Sequence, residues 1–252
     1  MTKEHVWAKS LTNLFDGHGV VRHEYEHPDR RIETTVKRAN TFALVSRKFC
    51  GACNSGWMRE VDDAARPLLA AFAKDQPVTL GRREQEQLAF WTTKTLLALL
   101  TVEPEEFRFA PAERYREVHE TRAPLTGSQV WLGANHHGDL AWGRSHSLTF
   151  ASMPDQKEGF GASLSFGYAV MHVIYHGSSE WLLRLRYDAH RSLKQIWPIQ
   201  REVEWPPALR MRPSDLTPLA GLINENSNFV PTESGSGPAQ LTTVSSREGC
   251  LR

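Results

Sequence analysis

At residues 47–69 the chain reads RKFCGACNSGWMREVDDAARPLL. Asn54 and Ser55 directly follow a Cys-x-x-Cys pair, and both are residue types that cap the start of a helix. The apolar residues that come next recur with helical spacing; they are Trp57, Val61, Ala65, Leu68, Leu69 and Phe72. The segment therefore predicts a helix capped by Asn54 or Ser55, with Trp57, Met58 and Leu68 in the core.

The chain upstream of this segment is polar and irregular, with two features of interest. The dipeptide Glu4-His5 stands near the start. Residues 31–49 contain an alternating pattern that is typical of paired strands; its positions are Thr35, Lys37, Phe42, Leu44 and Ser46. This stretch predicts a β-hairpin just before the helix.

The chain downstream continues with helical spacing, which then gives way to strands. A second helix is predicted from about residue 83, with Leu88, Trp91, Thr95, Leu96 and Leu99 on one face, and a third over residues 111–120. From residue 128 onward, β-branched and aromatic runs alternate with turn residues; the runs are 130–132, 148–151, 164–175 and 181–187. They predict an antiparallel sheet.

The order of the polar features carries a family resemblance. Glu4-His5 comes first, the predicted hairpin follows, and Cys50-x-x-Cys53-Asn54 opens the helix. In this order the chain resembles the HNH (His-Me finger) endonucleases and, more narrowly, bacterial HNH-like proteins. The resemblance is strong over residues 3–13 and 47–69, and weaker over 88–99, 196–198 and 205–207.

The resemblance implies a ββα unit that holds one divalent ion, Mg²⁺ or Mn²⁺, against a nucleic-acid phosphate. His5 would be the general base, since an imidazole with a pKa of about 6.5 is available in neutral form. Glu4 and Asn54 would supply the oxygen ligands that such ions prefer, Asn54 standing where many members have a second histidine. Arg47 and Lys48 would contact the nucleic-acid backbone. DNA is the expected substrate, with RNA as the alternative.

Two features depart from the family pattern. Many HNH proteins hold a structural Zn²⁺ with two Cys-x-x-Cys pairs, and only the second pair, Cys50 and Cys53, is present here. His18, His23 and His27 could complete such a site, or the missing pair could have been encoded upstream of Met1. The second departure is the middle asparagine of the family, because Leu44, Val45 and Ser46 stand in its place.

Each of these residues also has a plainer interpretation. As an isolated pair, Cys50 and Cys53 fit metal binding and inert packing equally well, and Asn54 could simply cap the helix. The alternative function is therefore a catalytically inactive HNH-like module that binds nucleic acid or a protein. The remaining histidines, His136, His137, His172 and His176, are expected to be solvated or hydrogen-bonded rather than metal ligands.

The predicted fold is α+β and has four parts. A small ββα-metal (HNH-like) module covers residues 1–75, and a helical segment covers 76–125. A mostly antiparallel β domain spans 126–231 and ends with a closing helix at 213–225; a disordered tail covers 232–252. The sequence leaves the oligomeric state open.

Composition limits the function classes. The formal net charge is +1, so any contact with nucleic acid must come from local basic clusters. Three cysteines do not indicate a secreted disulfide scaffold, and no basic segment followed by an apolar stretch marks a secretory signal. The longest apolar run, at residues 96–100, is too short to cross a bilayer. The cytoplasm is the expected location, with no membrane partner.

Overall fold

The computed structural model describes residues 4–6, 21–26, 32–37, 45–46, 48–102, 110–136, 138, 141–149, 158–179, 181–185, 192–212, 227–231 and 239–240. Within these ranges, helices combine with largely antiparallel sheets, which confirms the mixed α+β class. The predicted closing helix at 213–225 lies outside the described residues. None of the helices in these ranges is long and apolar enough to cross a membrane.

The helices follow the helical spacing of the sequence. They are α1 (Gly51–Cys53), a π-helical turn (Asn54–Met58), α2 (Arg59–Ala73), α3 (Arg82–Leu100) and α4 (Ala112–Thr121). All the apolar positions predicted for the first helix are buried, as are Trp57, Met58 and Leu68. Predictions for these three helices are confirmed to within a few residues because the pattern that encodes them is local.

Fourteen strands are described. They are β1 (Glu4–His5), β2 (Val21–Glu26), β3 (Ile32–Lys37), β4 (Val45–Ser46), β5 (Val78–Leu80), β6 (Ser128–Ala134), β7 (Ala141–Thr149), β8 (Glu158–Phe166), β9 (Ala169–Tyr175), β10 (Trp181–Leu185), β11 (Leu193–Trp197), β12 (Val203–Trp205), β13 (Ser227–Pro231) and β14 (Ala239–Gln240). The run predicted at 164–175 is thus two strands, joined by a tight turn at Gly167, whose φ is 55°. In the tail predicted to be disordered, Ala239–Gln240 pairs with β13.

The main sheet has seven strands in the order β11-β6-β9-β8-β7-β2-β3. Its pairs are antiparallel except for β2 and β7, which run parallel. β2 and β3, from the first forty residues, therefore share a sheet with strands that follow residue 126. The other ladders join β1 to β4, β12 to β5, and β10 to β13 and β14.

The predicted hairpin at residues 31–49 is wrong. β3 pairs with β2, with Glu26 opposite Ile32 and Val21 opposite Lys37. β4 pairs instead with β1, so the two halves of the predicted hairpin belong to different sheets. Alternation of side chains specifies which face of a strand is buried, and it leaves open which strand is the partner.

The two faces of the main sheet pack against different layers. Met171 faces α3, where its sulfur lies 3.1 Å from the Thr92 hydroxyl oxygen. Gln129 faces the other way, and its side-chain amide pairs with the backbone N–H and C=O of Leu183 in β10. The seven-stranded sheet therefore lies between the helices and the β10–β13–β14 sheet.

An ion pair between α2 and α3 is built into the core. The Lys94 ammonium is fully buried and donates to both carboxylate oxygens of Asp62, at 2.8 and 3.0 Å. The Trp91 indole N–H donates to the same carboxylate at 3.0 Å. Burial raises the pKa of Asp62, and the Lys94 charge and hydrogen bonds partly offset that rise.

Candidate site at the Cys50–Asn54 turn

The β1–β4 ladder brings the start of the chain beside the strand that leads into the first helix. In the antiparallel register Glu4 is opposite Ser46 and His5 is opposite Val45. Val6, the next residue, is fully buried and belongs to the same core cluster as Trp57 and Met58. The β1–β4 ladder therefore joins the segment that carries Glu4-His5 to a strand that ends four residues before Cys50.

Ser46 fixes the end of β4. Its side chain is buried, and its oxygen accepts hydrogen bonds from the Lys48 backbone N–H at 3.2 Å and from the Thr101 hydroxyl at 2.6 Å. Thr101 caps the C-terminus of α3. The chain between β4 and Cys50 is thereby anchored to the C-terminus of α3. This anchor helps to fix the position of Cys50.

The helix begins at Cys50 and not at Asn54 or Ser55. Cys50 has extended backbone angles, φ −75° and ψ 158°, and its sulfur accepts a hydrogen bond from the Cys53 N–H at 3.1 Å. The Asn54 N–H donates to the Cys50 carbonyl at 3.0 Å, so Asn54 already lies inside the helix. The predicted cap at Asn54 or Ser55 is wrong because a cysteine sulfur can accept the bond that an N-cap oxygen usually takes.

A π-helical turn separates this start from α2. It runs over Asn54–Met58, and Gly56 within it departs from helical angles, with φ −95° and ψ −114°. Because a π-helical turn is wider than an α-helical one, the residues before it point in a different direction from the apolar face of α2. Cys53 and Asn54 are half-buried, whereas the buried stripe begins at Trp57. Such turns occur frequently at functional sites.

The two thiols have different electrostatic environments. Hydrogen bonds from the Cys53 thiol and backbone N–H lower the pKa of Cys50, which is exposed. The same thiol contact, followed by partial burial, raises the pKa of Cys53. The Trp57 indole and the Arg122 guanidinium act on Cys53 in the opposite direction. Cys50 is therefore the more acidic thiol of the pair.

An aromatic and basic wall, formed by Trp57, Phe90, His119 and Arg122, stands beside the turn. Trp57 stacks on Phe90 with ring centroids 6.0 Å apart and an interplanar angle of 10°. The Arg122 guanidinium lies over the Trp57 ring at 4.9 Å, and His119 meets its edge at 5.9 Å. Sequence reasoning missed His119 and Arg122, because only the docking of α4 brings them to a turn some sixty residues away in the chain.

The structure describes some of the residues predicted to bind nucleic acid and zinc. Lys48 is exposed two residues before Cys50, whereas Arg47 lies outside the described residues. Cys50 and Cys53 supply two of the four ligands that a structural zinc site needs. Within the described residues, no group of three or more His, Cys, Asp or Glu side chains could hold a metal ion. The described donors therefore do not make up a zinc site by themselves.

Of the three histidines named as possible zinc ligands, the structure describes only the backbone of His23. The backbone of His23 lies in β2, in the seven-stranded sheet rather than in the β1–β4 ladder. His18 and His27 are outside the described residues.

Two histidines of the β region match the expectation that they are solvated or hydrogen-bonded; they are His136 and His172. His136 is exposed in a bend, while His137 is outside the described residues. His172 is buried, with its Nδ1 2.7 Å from the Ser163 hydroxyl. His176 is also buried, and burial lowers its pKa to about 4. Ser163 and His172 are both almost fully buried, so this pair is part of the packing between the sheets.

Comparisons of the chain with protein-family models, with curated proteins and with solved structures find no match.

Proposed function

We propose that the chain is a divalent-metal-dependent endonuclease of the HNH type, which hydrolyses phosphodiester bonds in DNA. The observation that supports this most is the β1–β4 ladder. It pairs Glu4 with Ser46 and His5 with Val45, two and three residues before the exposed Lys48 and four and five residues before Cys50. The resemblance places Glu4-His5 before a hairpin and a helix, and this ladder joins Glu4-His5 to the strand that precedes the helix.

Under this proposal His5 accepts a proton from the attacking water, a role that a neutral imidazole fills at cellular pH. Glu4 and Asn54 bind Mg²⁺ or Mn²⁺ through oxygen atoms. The ion, when bound, stabilises negative charge on the phosphate and the leaving oxygen. Arg47 and Lys48 hold the nucleic-acid backbone.

The start of the helix adds support for the role of Asn54. Cys50 occupies the N-cap, so helix capping does not account for the amide at position 54. Asn54 is half-buried in the π-helical turn, one residue after Cys53. In sequence, Asn54 follows the last residue of β4 by eight positions.

Nicking of supercoiled plasmid tests the proposal. With Mg²⁺ or Mn²⁺ the protein is expected to nick the plasmid, and EDTA should stop the reaction. His5→Ala should slow nicking by about 10²-fold or more, the usual contribution of a general base. His136→Ala is the matched control, since it removes an exposed histidine away from the turn and should leave the rate unchanged.

The proposal is wrong if the folded protein cuts DNA with no divalent ion, or if His5→Ala nicks as fast as His136→Ala. Retention of a DNA duplex without cutting, unchanged in His5→Ala, would instead identify the inactive binding module. RNA in place of the plasmid checks the alternative substrate.

A further inference from the structure

We propose that Cys50 and Cys53 form a reversible dithiol–disulfide pair that exchanges with small-molecule disulfides. Cys50 is the attacking thiol and Cys53 is the resolving one. This inference does not depend on the endonuclease proposal, because it rests on the geometry of the first helical turn and of the wall beside it.

The spacing of the two cysteines suits a disulfide. The backbone bond from the Asn54 N–H to the Cys50 carbonyl, 3.0 Å long, shows that the intervening residues are helical. Residues three apart in a helix have Cα atoms about 5 Å from each other. That separation falls inside the range of about 4.4–6.8 Å in which disulfides form without backbone movement.

The two thiols differ in access, as the two steps of an exchange require. Cys50 is exposed, and its sulfur is held by the Cys53 N–H at 3.1 Å. Cys53 is half-buried and packs against the core. An external disulfide can therefore reach Cys50 first, while Cys53 is sheltered within the same turn.

The wall beside the turn adds positive charge on the sheltered side. The Arg122 guanidinium lies 4.9 Å from the centre of the Trp57 ring. Trp57 itself follows Cys53 by one helical turn. The Arg122 charge acts on Cys53, and positively charged surroundings are typical of reactive cysteines. Neither Trp57 nor Arg122 has a role in the endonuclease proposal.

The exchange balances as a two-electron reaction. The Cys50 thiolate attacks one sulfur of the small disulfide; the Cys50–sulfur bond forms, and the first small thiolate leaves and takes a proton. Cys53, whose proton passes to solvent, then attacks the Cys50 sulfur, and the second small thiol leaves. The protein dithiol is oxidised and the small disulfide is reduced to two thiols.

The test uses the full chain with Cys250→Ser, which leaves Cys50 and Cys53 as the only thiols. The reduced protein is incubated with oxidised and reduced glutathione at a series of ratios, and the intact mass is measured. The expected product has lost two hydrogen atoms, and reduction restores the starting mass. In the same background, Cys53→Ser should stop at a mixed disulfide with glutathione, and Cys50→Ser should react about tenfold more slowly.

Three results would overturn the proposal. The first is no intramolecular disulfide at any glutathione ratio, and the second is equal reaction rates for Cys50→Ser and Cys53→Ser. The third is one zinc ion per chain that must be removed before either thiol reacts, which would identify the pair as metal ligands. The Cys250→Ser measurement alone decides the first and third, even if a cysteine variant does not fold.

Discussion

At the scale of single residues, Cys50 has a role that its residue type does not predict. Its sulfur accepts the N-cap hydrogen bond from the Cys53 N–H, which places Asn54 inside the helix. Sequence preference favours Asn and Ser at that position. The presence of a helix was predictable from its apolar spacing, but which side chain caps it depended on atomic contacts. Capping at the helix start therefore does not explain Asn54.

His176 makes the stability of the protein depend on pH. Burial lowers its pKa from 6.5 to about 4, so between these values the unfolded chain binds a proton that the folded chain does not. The free energy of unfolding is therefore unaffected by His176 above pH 6.5, and it decreases as the pH falls toward 4. The loss amounts to about 3 kcal/mol in the free energy of unfolding.

Urea unfolding at a series of pH values measures this contribution. His176→Gln should flatten the decline between pH 6.5 and 4, because it removes the group that takes up the proton. His136→Gln, at an exposed position, serves as the matched control. A His176→Gln curve that runs parallel to that of the wild type would contradict the expectation.

At the scale of elements, the Asp62–Lys94 pair joins α2 to α3 through a buried charge. Lys94→Met leaves the Asp62 carboxylate with the Trp91 indole but without its cation. Loss of one partner of a buried pair typically costs about 3–5 kcal/mol. The expected result is a large drop in the free energy of unfolding measured with urea.

The double variant Asp62→Leu/Lys94→Met provides the comparison, because replacing both charges by apolar groups is often nearly neutral. It should be more stable than Lys94→Met alone. Arg82→Ala is the surface control, since the Arg82–Glu86 pair is exposed and should contribute little. If Lys94→Met were no more destabilising than Arg82→Ala, the pair would have no role in holding the two helices together.

Helices are easier to predict from this sequence than the pairing of strands. The predicted faces of α2 and α3 are buried because helical spacing is a property of consecutive residues. The second half of α3 is nevertheless buried on all sides, including Thr92 and Thr93. Their hydroxyls donate to the Leu88 and Ala89 carbonyls, which satisfies them inside the core. That outcome depends on what surrounds the helix.

At the scale of the whole molecule, distant segments meet in ways that no local pattern encodes. β2 joins the seven-stranded sheet by a parallel ladder to β7, although some 120 residues separate them. α4 brings His119 and Arg122 to Trp57. The α+β class followed from the order of helical and strand patterns, whereas the strand order and the wall beside Cys53 required the tertiary structure.

The β1–β4 ladder is the long-range contact on which the endonuclease proposal depends. It joins the segment of Glu4-His5 to the strand before the helix, with Glu4 opposite Ser46 and His5 opposite Val45. The proposal adds that Glu4 and Asn54 share one ion. Binding of the ion can be measured separately from cleavage, so a site that has lost activity would still be detected.

Mn²⁺ titration followed by electron paramagnetic resonance tests this most directly, because the signal of free Mn²⁺ falls as the protein binds it. One ion per chain is expected. Glu4→Ala and Asn54→Ala should each weaken binding by about tenfold or more, whereas Ser55→Ala, at the exposed neighbouring position, should bind as the wild type does. Absence of binding by the folded protein, or Asn54→Ala binding as tightly as Ser55→Ala, would contradict the shared ion.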